Sequence, residues 1–126
     1  MAALSSWHDQ HAAAVDAVAN VDRLPGHVLL EASSVLTRLP GGLARPLAEV
    51  LAALQASFGG TPLTLPGRAH QPMLASLADA GLAGGAVYDG LIAATARHHG
   101  ARLLTLDRRA LPVYRALDAD LVQVAA

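Results

Sequence analysis

The segment YDGLIAATARHHGARLLTLDRR, which runs from Tyr88 to Arg109, decides the fold of this chain. It places one carboxylate, Asp89, near the start of a helix of small residues, and a second, Asp107, directly after a short apolar strand. In a parallel α/β sheet, the carboxyl ends of the strands and the helix starts beside them form the ligand site. The segment therefore predicts that two acidic groups meet at one edge of the sheet.

The composition of the 126 residues is that of one globular domain with a core built mostly from Ala, Leu and Val. No apolar run approaches the roughly 20 residues that a membrane-spanning helix needs, and the first residues lack the pattern of a signal peptide. Cysteine is absent, which excludes disulfides and thiol chemistry and favours a cytoplasmic location. With a net charge of −1, any contact with nucleic acid is expected to be local.

Helical and strand patterns alternate along the chain, separated by glycine and proline residues. Apolar periodicity predicts helices over residues 7–18, 27–38, 43–58, 69–80, 88–99 and 108–117. Short apolar runs predict strands over residues 62–65, 101–106 and 121–124. Gly100 is expected to end the helix before it as a C′ glycine. The alternation favours an α/β fold, with helices on both faces of a short central parallel sheet.

Glu31 is one of only two glutamates and lies in the middle of an apolar helical pattern. Because an unpaired buried carboxylate is costly, a Glu31 directed into or beside the core requires a metal, a hydrogen-bond donor or water at the mouth of a cleft. The alternative is a solvent-facing side chain between two apolar stripes. Asp89 and Asp107 also have structural alternatives, the first as a charge that offsets a helix dipole and the second as a helix cap.

Three carboxylates gathered at one sheet edge require a cation or a proton among them. Two like charges about 4 Å apart repel by roughly 4 kcal/mol at an effective dielectric constant of about 20. Oxygen ligands suit Mg²⁺ or Mn²⁺, which keep several waters and bind substrate phosphates. Such a metal activates water for the hydrolysis of a phosphodiester. The pattern therefore indicates a Mg²⁺ or Mn²⁺ site at Glu31, Asp89 and Asp107.

All nine basic residues are arginines. Arg108 and Arg109 directly follow Asp107, and Arg38 lies two helical turns beyond Glu31. We expect these three arginines to contact backbone phosphates. The alternative is that they are ordinary surface residues, and an arginine-only composition also fits GC-rich codon usage. The six histidines show no zinc-site spacing and are expected at the surface.

Three pieces of the chain, HVLLEASSVLTRLP, YDGLIAATARHHGARLLTLDRR and DLVQV, resemble the PIN-domain ribonucleases, and in particular the VapC-type toxins of bacterial toxin–antitoxin pairs. The resemblance extends over nearly the whole chain. It implies a three-layer α/β/α sandwich around a parallel sheet, dependence on Mg²⁺ or Mn²⁺, and endonucleolytic cleavage of RNA. It also implies a homodimer and a small antitoxin partner, a segment of which lies across the active-site groove.

The family motifs carry over to single residues of this chain. Glu31 matches the acidic residue of the second helix, Asp89 the one before LIAATA, and Asp107 the one that closes LLTLD. The chain departs from the family at its beginning, where a leading strand that ends in an aspartate is expected. We therefore expect residues 1–126 to form a single PIN-like domain that lacks this first strand and one metal ligand.

Two functions from different classes follow from these patterns. The leading interpretation is a metal-dependent endoribonuclease that acts as a toxin. The alternative is a catalytically impaired PIN-like module that only engages a partner protein. The two differ in whether the carboxylates at Glu31, Asp89 and Asp107 are needed for the biological effect.

If a strand and a metal ligand are missing, the 126-residue form should be poorly active. The same chain with a short upstream extension should cleave RNA in the presence of Mg²⁺. Cleavage of a labelled RNA by the two proteins at equal concentration measures the difference. Full metal-dependent activity of the unextended form would contradict the expectation.

Overall fold

The computed structural model describes residues 23–105 and 108–123, which form helices interspersed with short parallel strands. The described elements are, in chain order, α1 (Gly26–Thr37), α2 (Leu47–Ser57), α3 (His70–Asp79), α4 (Ala86–His98), β1 (Leu103–Thr105), α5 (Leu111–Ala116) and β2 (Leu121–Gln123). Two 3₁₀ turns, Gly67–Ala69 and Arg108–Ala110, lead into α3 and α5. Among these elements, no helix has the length and hydropathy needed to cross a membrane.

β1 and β2 pair in parallel, with Leu103 opposite Leu121 and Thr105 opposite Gln123. α5 lies in the connection between them, as a parallel pair requires a crossover. The predicted α/β class is confirmed by this pairing. The layout of three layers around a central sheet stays a prediction, because the described strands form a two-stranded sheet.

The strand predicted over residues 62–65 is wrong. Leu63 makes a single parallel bridge to Pro25, which lies directly before α1. The N–H of Leu63 donates to the carbonyl of Leu24 at 2.9 Å, and the N–H of Gly26 donates to the carbonyl of Leu63 at 2.8 Å. Proline has no N–H to add to a ladder, so the prolines at 62 and 66 limit the pairing to this bridge.

The helices predicted over residues 27–38, 69–80, 88–99 and 108–117 are confirmed, with ends that differ by one to three residues. The helix predicted over 43–58 begins only at Leu47. Pro46 disfavours a helical conformation in the residue before it, and Gly41 and Gly42 have positive φ angles of 68° and 75°. The helix predicted over residues 7–18 lies outside the described residues.

α4 ends as the sequence predicts. Gly100 has a left-handed φ of 61°, and its N–H donates to the carbonyl of Arg97 at 3.1 Å. The N–H of Ala101 donates to the carbonyl of Ala96 at 2.8 Å. This pair of bonds is a Schellman motif, which satisfies the last carbonyls of the helix. The chain then enters β1 within three residues.

Two apolar clusters hold the described helices together. The larger joins α3, α4, β1 and α5 through Met73, Leu77, Ala93, Ala96, Leu103, Ala110, Leu111, Val113, Tyr114 and Leu117. The smaller joins α1 to α2 through Leu36, Val50 and Leu54. α1 and α4 belong to different clusters and contact each other. The line along which they meet is therefore a boundary between two packed units.

The tightest approach between α3 and α4 is at Gly90. A Cβ at this position would lie 2.8 Å from Leu77 Cδ1 and 3.1 Å from Met73 Sδ. Both side chains are buried, and Leu77 is only 1% exposed, so a Cβ at position 90 would require them to shift within the core. Gly90 directly follows Asp89, so this contact fixes the turn of α4 that carries the predicted site carboxylate.

Gly90→Ala should lower the free energy of unfolding by about 1 kcal/mol. Overpacking of a core costs about 1–3 kcal/mol, and the higher helix propensity of alanine offsets only about 1 kcal/mol of that cost. Urea unfolding followed by circular dichroism measures the difference. Gly67→Ala is the control, because a Cβ there meets nothing within 4 Å. A Gly90→Ala protein as stable as the parent would show that Leu77 and Met73 repack without strain.

Candidate functional site

An open groove of about 520 Å³ lies where α1 meets α4. Its walls come from α1, from the residue after α1, and from the beginning of α4. The residues that line it are His27, Leu30, Glu31, Ser34, Arg38, Gly85, Tyr88, Asp89 and Ile92. The members from α1 recur three or four residues apart, so they form one continuous stripe on that helix.

The groove brings together two of the three predicted carboxylates. Asp89 is half-buried in the first turn of α4, and Glu31 lies across from it on α1. The Glu31 side chain is 62% exposed, so it is not directed into the core but faces solvent at the groove. Ala32 and Leu36 are the buried residues of α1 instead. Asp107, the third carboxylate, lies outside the described residues.

His27 is the immediate partner of Glu31. Its Nε2 lies 3.2 Å from Glu31 Oε2, one helical turn away on α1. The imidazole also stacks on the ring of Tyr88 from α4, with ring centroids 5.2 Å apart and planes inclined by 9°. The carboxylate of one helix is thereby connected to an aromatic ring of the other, and both belong to the groove.

Arg38 is the one predicted phosphate-binding arginine that lines the groove within the described part of the chain. It is exposed beyond the carboxyl-terminal end of α1, and its Nε donates to Ser34 Oγ at 3.3 Å. Arg108 and Arg109 are also exposed, in the 3₁₀ turn that follows β1. The structure therefore brings Arg38 together with Glu31 and Asp89, and leaves Arg108 and Arg109 outside the lining of this groove.

His27 and Tyr88 are groove residues that the sequence patterns did not reveal. The expectation of surface histidines is confirmed for His70, His98 and His99, whereas His27 is partly buried, with a side chain 25% exposed at the groove. One signal was available for each residue. His27 precedes Glu31 by four positions on a helix, and Tyr88 stands directly before Asp89.

The two carboxylates of the groove are side chains of the type that a hard divalent cation binds. Mg²⁺ is usually held by one or two carboxylates and keeps several waters, and Glu31 and Asp89 line one solvent-open surface. Within residues 23–105 and 108–123, no group of three histidine, aspartate or glutamate side chains could hold a metal ion. The two described carboxylates therefore match part of the predicted ligand set.

The comparisons with known proteins point to one family. A family model described as PIN domain matches residues 1–116. Two relatives from Mycobacterium tuberculosis are ribonuclease VapC40, 36% identical over 120 residues, and ribonuclease VapC27, 39% identical over 119 residues. The aligned regions cover 95% and 94% of this chain, and 90% and 86% of the two relatives. No solved structure matches the chain significantly.

Both kinds of match extend over most of the chain, and the relatives are covered over most of their own length. The chain therefore belongs to the PIN-domain family, and within it to the VapC type.

Proposed function

We propose that this protein is a metal-dependent endoribonuclease that acts as the toxin of a toxin–antitoxin pair. The observation that carries the proposal is the groove between α1 and α4, which places Glu31, Asp89 and Arg38 on one surface. Membership of the PIN-domain family supports the same activity, as do the ribonuclease names of both relatives.

The proposed metal ligands are Glu31 and Asp89, with Asp107 as a third. A bound Mg²⁺ or Mn²⁺ supplies the activation of water and the stabilisation of the leaving oxygen in phosphodiester hydrolysis. Carboxylate oxygens are the donors that both ions prefer. The contact at 3.2 Å between His27 Nε2 and Glu31 Oε2 restricts the rotamers of the Glu31 side chain, which otherwise projects from an exposed helix face.

The proposed role of Arg38 is to hold a backbone phosphate of the RNA. Its planar guanidinium can form two parallel hydrogen bonds to phosphate oxygens, and its charge offsets that of the substrate. Arg108 and Arg109 are proposed as further phosphate contacts outside the groove. Both follow Asp107 in the sequence and both are exposed.

The remaining features of the proposal rest on the family resemblance. They are a small cognate antitoxin as the protein partner, a homodimer, a cytoplasmic location, and a single domain with a three-layer α/β/α sandwich. The binding-only alternative has no observation in its favour, since the groove retains two carboxylates and an arginine.

Asp89→Asn tests the proposal directly, because it removes a charged oxygen ligand and keeps the side-chain shape. We expect Mg²⁺-dependent cleavage of a labelled RNA to fall at least about 100-fold, on the scale at which loss of one transition-state contact acts. The assay uses whichever form, with or without an upstream extension, cleaves RNA better. Growth arrest on expression should disappear in parallel.

The controls for this test are matched carboxylates elsewhere in the described chain. Asp79→Asn changes an exposed aspartate at the end of α3 and should leave cleavage unchanged. Glu31→Gln should lower cleavage as Asp89→Asn does, whereas Glu49→Gln, at an exposed position in the first turn of α2, should not. Growth arrest that persists with Asp89→Asn, together with no Mg²⁺-dependent cleavage by the parent protein, would favour the binding-only module and refute the nuclease.

Arg38→Gln should weaken RNA binding through the loss of one phosphate contact. For a single-stranded RNA, the slope of log K against log salt concentration should become less steep by about 0.7. Binding titrations at several salt concentrations measure this slope. Arg68→Gln, in the exposed 3₁₀ turn before α3, is the control and should leave the slope unchanged. An unaltered slope for Arg38→Gln would show that this arginine does not contact a phosphate of the RNA.

A further inference from the structure

Tyr88 is a large exposed aromatic residue directly beside the site carboxylates. It lies in the first turn of α4, precedes Asp89 in the sequence, and lines the same groove. The imidazole of His27 covers one face of its ring in a nearly parallel stack. Tyr88 is nevertheless 60% exposed. Because His27 covers one face, the ring surface left to solvent lies on the opposite face and along the ring edge.

The Tyr88 ring is held in its orientation by the His27 ring, on which it stacks. His27 is only 25% exposed, and its Nε2 contacts Glu31 while its ring supports Tyr88. Each ring in this pair therefore restricts the other, and the two rings come from different helices. A ring that is already oriented loses little conformational freedom when a ligand stacks on it.

The groove is lined by both apolar and charged side chains. Tyr88, Ile92 and the 71% exposed Leu30 supply apolar surface, while Glu31, Arg38 and Asp89 supply charged groups. A nucleotide carries both kinds of group, a flat apolar base and a charged phosphate. The groove therefore suits a strand of RNA, with a base on the Tyr88 ring and backbone phosphates along the charged residues.

We propose that the exposed face of Tyr88 is a stacking platform for an unpaired nucleobase of the RNA, beside the phosphodiester that is cut. The inference rests on the proposed ribonuclease function and extends it to a specific substrate contact. Unstacked bases bind aromatic side chains, whereas the bases of a duplex are already stacked on one another. Because every base has a flat face, the platform supplies affinity and position and does not read base identity.

The test measures RNA binding in proteins that all carry Asp89→Asn, so that the RNA is not cut. A short unstructured RNA with a fluorescent label is titrated with each protein, and anisotropy gives the dissociation constant. Tyr88→Ala should weaken binding about fivefold to 150-fold, the range found for the loss of one base–aromatic stack. Tyr88→Phe and Tyr88→Trp should bind at least as tightly as Tyr88.

A matched control separates stacking from a general loss of exposed apolar surface. Leu74 is an exposed leucine of α3, and Leu74→Ala should leave the affinity for RNA unchanged. Circular dichroism and thermal unfolding of each variant establish that the fold is retained. If Tyr88→Ala does not fold, the abasic RNA described next provides the measurement with the protein that keeps Tyr88.

The same contact is tested from the RNA side. A series of RNAs carries an abasic nucleotide at each position in turn. At the stacked position, loss of the base should weaken binding to the protein with Tyr88 by the same factor as Tyr88→Ala. It should have no further effect on the Tyr88→Ala protein, since the contact is already lost. A fully paired RNA should bind both proteins equally.

The outcomes distinguish this inference from the proposed function. Equal RNA affinity of Tyr88→Ala and its parent overturns the platform, while RNA cleavage by the unmodified protein still supports the nuclease. RNA binding that depends on Tyr88 without any cleavage supports the platform and contradicts the nuclease. If Tyr88→Ala weakens binding of the antitoxin protein but not of RNA, the ring is a protein contact and the platform is refuted.

Discussion

The close packing of α4 on both of its sides is the constraint on which the site depends. On one side, Gly90 admits Leu77 and Met73 of α3 to a distance at which a single added methyl group would clash. On the other side, Tyr88 stacks on His27 of α1. The absence of a side chain at Gly90 allows the close approach to α3, whereas the contact with α1 is made by the large Tyr88 ring. The acidic residue between Tyr88 and Gly90 is held by both contacts.

The contact between His27 and Glu31 affects the position of the Glu31 carboxylate more than the stability of the fold. Even a fully charged pair at the surface contributes only about 0–1 kcal/mol to folding, and the Glu31 side chain is largely exposed. Its structural effect is larger, since it connects a carboxylate of α1 to the aromatic ring of α4. A groove that must hold a cation and a phosphate gains from carboxylates whose rotamers are already restricted.

The sequence predicted the parts of the structure that depend on local pattern. The helix from Gly26 to Thr37 and the Schellman end at Gly100 follow from periodicity and from the conformational freedom of glycine. The meeting of Glu31 with Asp89 in one groove followed from the family motifs. Two errors had local causes: Pro46 delayed the start of α2, and the prolines beside Leu63 reduced a strand to one bridge.

The remaining features depend on tertiary packing and have no local signature. Tyr88 reaches His27 only because α3 and α1 hold α4 from opposite sides, and no spacing along the chain encodes that distance. The orientation of the Glu31 side chain could not be predicted from the sequence for the same reason. A carboxylate among leucines on a helix is buried or exposed according to which neighbour covers that face, and α4 covers only part of it.

The single bridge between Pro25 and Leu63 has a mechanical consequence for the groove. Its two hydrogen bonds lie on either side of Pro25, one of them donated by the first residue of α1, and they fix the position of that helix along its axis. A shift of one residue would move every side chain of the helix by about 1.5 Å and rotate it by about 100°. The short loop at Leu63 is flanked by prolines and does not line the groove. It thus sets the rotation of α1 about its axis, and with it the direction in which Glu31 projects.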